Sequence, residues 1–149
     1  MDASVRIRTG GEADFDALTD LWERSVRGSH TFMDEAELAD QRPRIRDLLL
    51  PSMDIWIAEH DGVPVGFVGA RDSGVELLYI APESQGQGIG RTLLSQVAGG
   101  AGADRVEVFA DNSIGVGFYR SLGYIETERY LTTVAGGTFE ILRLRREAT

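Results

Sequence analysis

Gln85, Gly86, Gly88 and Gly90 pose the first chemical question, because they join the apolar run Val75–Ile80 to a segment in which Ile89, Leu93, Leu94 and Val97 recur at helical spacing. Glycine at alternate positions lets backbone N–H groups converge on a ligand and permits dihedrals that other residues avoid. A helix beginning near Gly88 aims its unpaired N–H groups, and the positive end of its dipole, into the same space. Such a strand–turn–helix suits an anion, phosphate above all. Two nucleotide motifs fail on residue identity. A dinucleotide fingerprint read from Gly86 needs glycine at 91, where Arg91 stands, and a Walker A loop ending at Thr92 needs glycine at 85 and lysine at 91. The pattern present is Q-x-x-G-x-G at Gln85, Gly88 and Gly90.

The rest of the composition narrows the chemistry further. With 149 residues, 42% of them hydrophobic and 26% charged, residues 1–149 are expected to form a single soluble domain. The absence of cysteine removes thiol nucleophiles, disulfides and zinc–cysteine sites, and no metal is expected. No apolar run suggests secretion or approaches the ~18 residues of a bilayer span, so a cytoplasmic protein without membrane contact is expected. A net charge of −9 argues against a nucleic-acid partner and mildly favours cationic ones; all 15 basic residues are arginine. A polyanion would have to be held locally, by backbone dipoles and one or two arginines.

The elements that must position the turn read as follows. Val5 to Arg8 is an opening strand, and Phe15, Leu18, Trp22 and Val26 form the core face of a helix over Glu12 to Val26. Asp34 caps a second helix running toward Leu50, which Pro43 should kink or divide and Pro51 should stop. Strands over Asp54–His60 and Val65–Ala70 meet at Asp61-Gly62, a hairpin signal, and Val75–Ile80 is the next strand. Trp56 and Phe67 read as core. After the glycine turn and its helix come a strand over Asp104–Ala110 and a short helix capped by Ser113, with Phe118 on its core face. A final hairpin runs from Tyr124 to Leu144 about Gly136-Gly137. The order βααβββαβαββ describes an α/β fold, a mixed sheet with helices on its faces.

Together these residues resemble the Gcn5-related N-acetyltransferase (GNAT) superfamily, in its small stand-alone bacterial branch. Its signature is a Q/R-x-x-G-x-G/A turn after the fourth strand. Gln85, Gly88 and Gly90 match that turn, Leu78-Tyr-Ile-Ala-Pro82 matches the strand before it, and Asn112 with Phe118-Tyr-Arg-Ser-Leu-Gly-Tyr124 matches a later segment. The resemblance implies acetyl-CoA as donor. Its pyrophosphate would lie on the amides of Gln85, Gly86, Gln87, Gly88, Ile89, Gly90 and Arg91, and its pantetheine arm beside Leu78, Tyr79 and Ile80. Arg91 either contacts phosphate or is a solvated helix residue.

The resemblance also assigns roles. Tyr119 would donate the proton to the departing thiolate, since a phenol of pKa ~10 is protonated at neutral pH. A backbone N–H near Tyr79 or Ile80 would hold the oxyanion. For the general base Glu76 leads, on the face of its strand shared with Leu78 and Ile80, and His30 in the loop after the first helix is its rival. The alternative for Glu76 is an ion pair with an arginine such as Arg71; for His30 it is a solvated loop. Asn112 either bonds the pantetheine arm or caps the following helix. The implied activity is acetyl transfer to a primary amine of a small molecule or peptide by direct attack in a ternary complex, and homodimers are common in such a family. The competing reading is a non-catalytic acyl-CoA-binding module that kept the turn and lost the chemistry.

Overall fold

The computed structural model describes residues 5–29 and 33–146. The strands are β1 (Val5–Thr9), β2 (Asp54–His60), β3 (Val63–Arg71), β4 (Gly74–Ile80), β5 (Arg105–Phe109), β6 (Ile125–Val134) and β7 (Gly137–Arg145). The helices are α1 (Phe15–Ser29), α2 (Glu35–Arg44), α3 (Ile89–Gln96) and α4 (Ser113–Ser121). The strands form one seven-stranded sheet in the order β1-β2-β3-β4-β5-β7-β6. Every pairing is antiparallel except β4–β5, which is parallel and pairs only at Gly74↔Arg105 and Val75↔Val106. Beyond those two rungs β4 and β5 part, and the gap between them is the central fact of the fold.

Each sheet face buries its own core. Phe15, Leu18, Leu21, Trp22 and Val26 of α1 pack with Leu38, Ile45 and Leu50 against Ile57, Phe67 and Leu77. On the other face Leu93, Leu94 and Val97 pack with Tyr119 and Tyr124 against Val68, Val75, Val106 and Leu144. Tyr124 ties its face together by donating its hydroxyl to the carbonyl of Ala103 at 2.5 Å. Tyr124→Phe is expected to cost about 1–2 kcal/mol, seen as a lower denaturant midpoint at unchanged slope, because a buried acceptor loses its donor.

Several local expectations shift. The first helix starts at Phe15 after a 3-10 turn over Glu12–Asp14, and runs on to Ser29. Asp34 does cap α2, accepting from the Glu37 N–H at 2.8 Å in a reciprocal capping box. The helix divides next to Pro43 as expected: it is α-helical through Arg44, then widens into a π-helical stretch over Ile45–Leu49 before the turn at Leu50–Ser52, which holds Pro51. Burial of Leu38, Ile45 and Leu50 against α1 keeps the chain coiled there, although proline removes one donor from the ladder. The last hairpin turns at Ala135-Gly136, not Gly136-Gly137. Both residues have positive φ, 49° and 85°, as a two-residue primed turn demands, and Val134 pairs with Gly137.

Candidate active site

The parting of β4 and β5 opens a cavity of about 470 Å³, lined by both strands, the glycine turn and α4, and roofed by α2 and the end of β6. β4 reaches it by way of a bulge. Gly69 pairs with Leu77 and Ala70 with Val75, so Glu76 is an extra residue and strand alternation breaks there. In consequence Glu76 does not share a face with Leu78 and Ile80. It lies with Leu77 on the α1–α2 side, where its carboxylate meets the Arg71 guanidinium at 3.2 Å, while Leu78 and Ile80 pack against the α3–α4 core.

Hydrogen-bond parity along β4 is equally specific. The Ala81 N–H donates to the Val65 carbonyl at 2.8 Å, so alternation directs the N–H of Tyr79 to β3 and those of Leu78 and Ile80 toward the parted β5 side. The Ile80 carbonyl points the same way and accepts from Gln85 Nε2 at 3.4 Å.

In the glycine turn, Gly86 and Gly88 have φ of 81° and 80°, and a Cβ built on either meets no atom within 4 Å. Gly88 is the N-cap of α3, with no side chain closing it, and the first helical bond runs from Thr92 N–H to the Gly88 carbonyl. The N–H groups of Ile89, Gly90 and Arg91 therefore face outward without a helical acceptor. Gly90 has another reason to be glycine: a Cβ there would stand 3.1 Å from the Phe118 ring, so this position lets α3 and α4 approach. Gln87 and Arg91 are exposed, and Arg91 forms no ion pair among the described residues.

At the floor stands Tyr119. It is only 5% exposed, and its hydroxyl has no hydrogen-bond partner among the described residues, yet it lines the cavity. It, not Phe118, is the fully buried residue of α4: its ring packs edge-on to Tyr124 at 5.6 Å, while half-buried Phe118 faces Gly90. Burial pushes the Tyr119 phenol well above the ordinary tyrosine range, with the neighbouring Tyr79 and Tyr124 adding to the shift. Tyr79 is likewise pushed up to about 12 by burial, against the opposing effect of its hydrogen bond with Trp22.

Asn112, not Ser113, caps α4, its Oδ1 accepting from the Gly115 N–H at 3.0 Å. Its side chain also lines the cavity. Asn112→Ala is expected to cost about 1 kcal/mol in a denaturation experiment and Asn112→Asp far less, since aspartate retains the cap.

The cavity thus gathers Glu76, Leu78, Tyr79, Ile80, Gln85, Gly86, Gly88, Ile89, Gly90, Asn112 and Tyr119, and leaves Gln87 and Arg91 outside its lining. His30 lies outside the described residues. Two residues that sequence reasoning passed over also line it, Glu107 and Tyr130. The Tyr130 hydroxyl donates to Glu107 Oε1 at 2.8 Å and Arg143 Nε to Glu107 Oε2 at 2.6 Å. Burial first, then the bond to Glu107, pushes the Tyr130 phenol up to about 12. The one available signal was strand alternation: with Val106 and Val108 in the core, Glu107 had to face the opposite side.

The family model for the acetyltransferase (GNAT) domain matches residues 51–126, which hold the bulge, the glycine turn and Tyr119. The chain belongs to that family. Over 141 residues, 94% of this acetyltransferase, it is 30% identical to the peptidyl-lysine N-acetyltransferase YjaB of Salmonella typhimurium, spanning 97% of that protein. The solution structure of apo-form YjaB from Escherichia coli matches with a TM-score of 0.84 at 26% identity, covering 97% of this enzyme and 99% of that chain. The PaiA N-acetyltransferase of Thermoplasma acidophilum, solved in complex with coenzyme A, shares the fold with a TM-score of 0.73 at 20% identity, covering 95% and 99%. The matched span includes the turn and Tyr119 but leaves out α1, α2 and most of the β6–β7 hairpin, which roof the cavity.

Proposed function

We propose that this enzyme moves the acetyl group of acetyl-CoA to the side-chain amine of a lysine in a peptide, by direct attack while both substrates are bound. The observation that carries the reading is Tyr119, a buried side chain that lines the cavity where the glycine turn and the parted strands meet and whose hydroxyl has no hydrogen-bond partner among the described residues. Similarity to a protein named as a peptidyl-lysine N-acetyltransferase supports the acceptor class, and the coenzyme A complex of PaiA supports the donor.

The site's own residues fit that donor. Outward N–H groups at the head of α3, and open space beyond Gly86 and Gly88, suit a pyrophosphate, and the unpaired edge of β4 at Leu78 and Ile80 offers N–H and C=O groups to an amide-bearing arm. Asn112 adds a side-chain amide on the opposite wall. Acetyl-CoA supplies an activated thioester; the remaining requirements fall on the chain. The Ile80 N–H is aimed to receive the oxygen on which charge develops. Tyr119, held neutral by burial, gives its proton to the sulfur as the carbon–sulfur bond breaks. Glu76 takes the proton lost by the amine, directly or through water. Among the described residues its carboxylate pairs with Arg71 alone, whereas both oxygens of Glu107 are engaged, so Glu107 positions and Glu76 accepts. Without cysteine, transfer proceeds with no thioester on the enzyme.

Release of free CoA thiol over a panel of polyamines, amino acids, aminoglycosides and lysine peptides tests the reading. The chain contains no lysine of its own to confuse the product analysis. Highest kcat/KM on lysine peptides is expected; turnover confined to small amines would replace the acceptor class, and no turnover at all would favour a binding module.

A further inference from the structure

We propose that the acceptor segment lies along the open sheet face beside the active site and that an acidic side chain near its lysine is read by arginines of one cross-sheet row. The inference rests on the peptide reading above. A second cavity, of about 630 Å³, adjoins the catalytic one, and Glu76 and Glu107 line both. It lies on the face of β5, β7 and β6 opposite the core side chains of Val106 and Leu144, and Arg105, Glu107, Arg143 and Arg145 line it.

The register places Arg71, Gly74, Arg105 and Arg145 side by side across β3, β4, β5 and β7, and all line this second cavity. Gly74 leaves room in the row for the Arg105 guanidinium, 3.2 Å from where a Cβ would stand. Like charges directly opposite in a sheet are destabilising. Here Arg105 and Arg145 are direct cross-strand neighbours in a chain with 24 acidic residues and only 15 arginines. The acids nearby are otherwise engaged: Glu76 with Arg71, and both Glu107 and Glu128 with Arg143. Asp72 also faces the groove from the β3–β4 turn. Arg105 has only its chain neighbour Asp104, at 3.3 Å, and Arg145 has no ion pair among the described residues. Two exposed arginines in one cross-strand row, with the Arg105 guanidinium turned over Gly74, offer guanidinium donors that fit a carboxylate.

Spacing sets which residue of the acceptor is read. From Arg105 to Phe109, which lines the catalytic cavity, is four residues of β5, about 13 Å at 3.3 Å per residue. An extended peptide with its lysine in that cavity brings a side chain two to four positions away, roughly 7–13 Å, over the arginine row. Acidic substrate proteins therefore become acceptors even though the enzyme itself carries a net charge of −9.

The test uses three lysine peptides that differ only in carrying glutamate, alanine or arginine three residues from the lysine, assayed by thiol release with the full-length enzyme. The expected order in kcat/KM is glutamate over alanine by about tenfold and alanine over arginine, the preference residing in KM and shrinking as salt is raised. Arg145→Glu combined with Arg105→Glu is expected to reverse the order, and because the readout is a ratio between peptides on the same variant, loss of folded protein does not imitate it. Equal rates on all three peptides, or a glutamate preference that survives the double reversal, overturn the arginine row while leaving peptide acetylation standing. Turnover of small amines with none of any peptide overturns both. Loss of the preference in the presence of inorganic phosphate, at an ionic strength matched with chloride, supports an anion site in the row.

Discussion

Tyr119→Phe lowers kcat by about 10²–10³ and leaves the KM for acetyl-CoA within about twofold, the range expected when a single proton donor is removed from a transition state. The geometry makes this substitution unusually clean. The hydroxyl has no partner among the described residues, so deleting it orphans no buried group, and the phenyl ring keeps its edge contact with Tyr124 at 5.6 Å. Stability should accordingly change by less than about 0.5 kcal/mol, measured by thermal or denaturant unfolding. The pH dependence carries a second signature. A phenol whose neutral form is favoured by burial stays protonated above its ordinary pKa, so kcat of the parent enzyme should show no descending limb from tyrosine ionisation up to pH about 10. A Tyr119→Phe enzyme with kcat within twofold of the parent would remove this residue from the chemistry.

Gly88→Val is expected to weaken acetyl-CoA binding at least ~100-fold by calorimetry, with a smaller loss of stability. Valine at φ of 80° is forced into the left-handed region, which costs a residue with a Cβ about 1–2 kcal/mol and a β-branched one no less. The new side chain collides with nothing in the protein, because no atom lies within 4 Å of the built Cβ. It instead enters the open space at the head of α3, where the N–H groups of Ile89, Gly90 and Arg91 have no helical acceptor. Losing two charge-assisted hydrogen bonds of about 1.5–3 kcal/mol each accounts for the factor. Gly90→Ala provides the contrast: its Cβ meets the Phe118 ring at 3.1 Å, so the penalty should appear in unfolding midpoint rather than in affinity. Donor affinity for Gly88→Val within tenfold of the parent would contradict the cradle.

Element order and the identity of the donor site were legible before any coordinates. Phe15, Leu18, Trp22 and Val26 declared α1, Asp61-Gly62 declared its hairpin, and the glycine spacing after Ile80 identified the turn. Each of these is a local property, set by helical period, by a dihedral only certain residues adopt, or by a short motif. Mistakes clustered where long-range packing overrides local preference. Tyr119 displaced Phe118 in the core of α4 because α3 stacks on Phe118 through Gly90, and the bulge at Glu76 turned that residue off the face of Leu78 and Ile80.

The acceptor side shows the same division more sharply. Glu76 and Glu107 are 31 residues apart in the chain, and alternation along β4 placed Glu76 on the wrong face. Only the bulge opposite Gly69 and Ala70 turns it toward Arg71. Likewise the row of Arg71, Gly74, Arg105 and Arg145 comes from four different strands, and nothing in their sequence neighbourhoods relates them. By itself the sequence determined the glycine turn, the family and the tyrosine proposed as proton donor, because a turn and a motif are written in consecutive residues. The tertiary structure alone decided which carboxylates and guanidinium groups border the two cavities. Strand register and the parting of β4 from β5 emerge only when segments remote in the chain pair across the sheet.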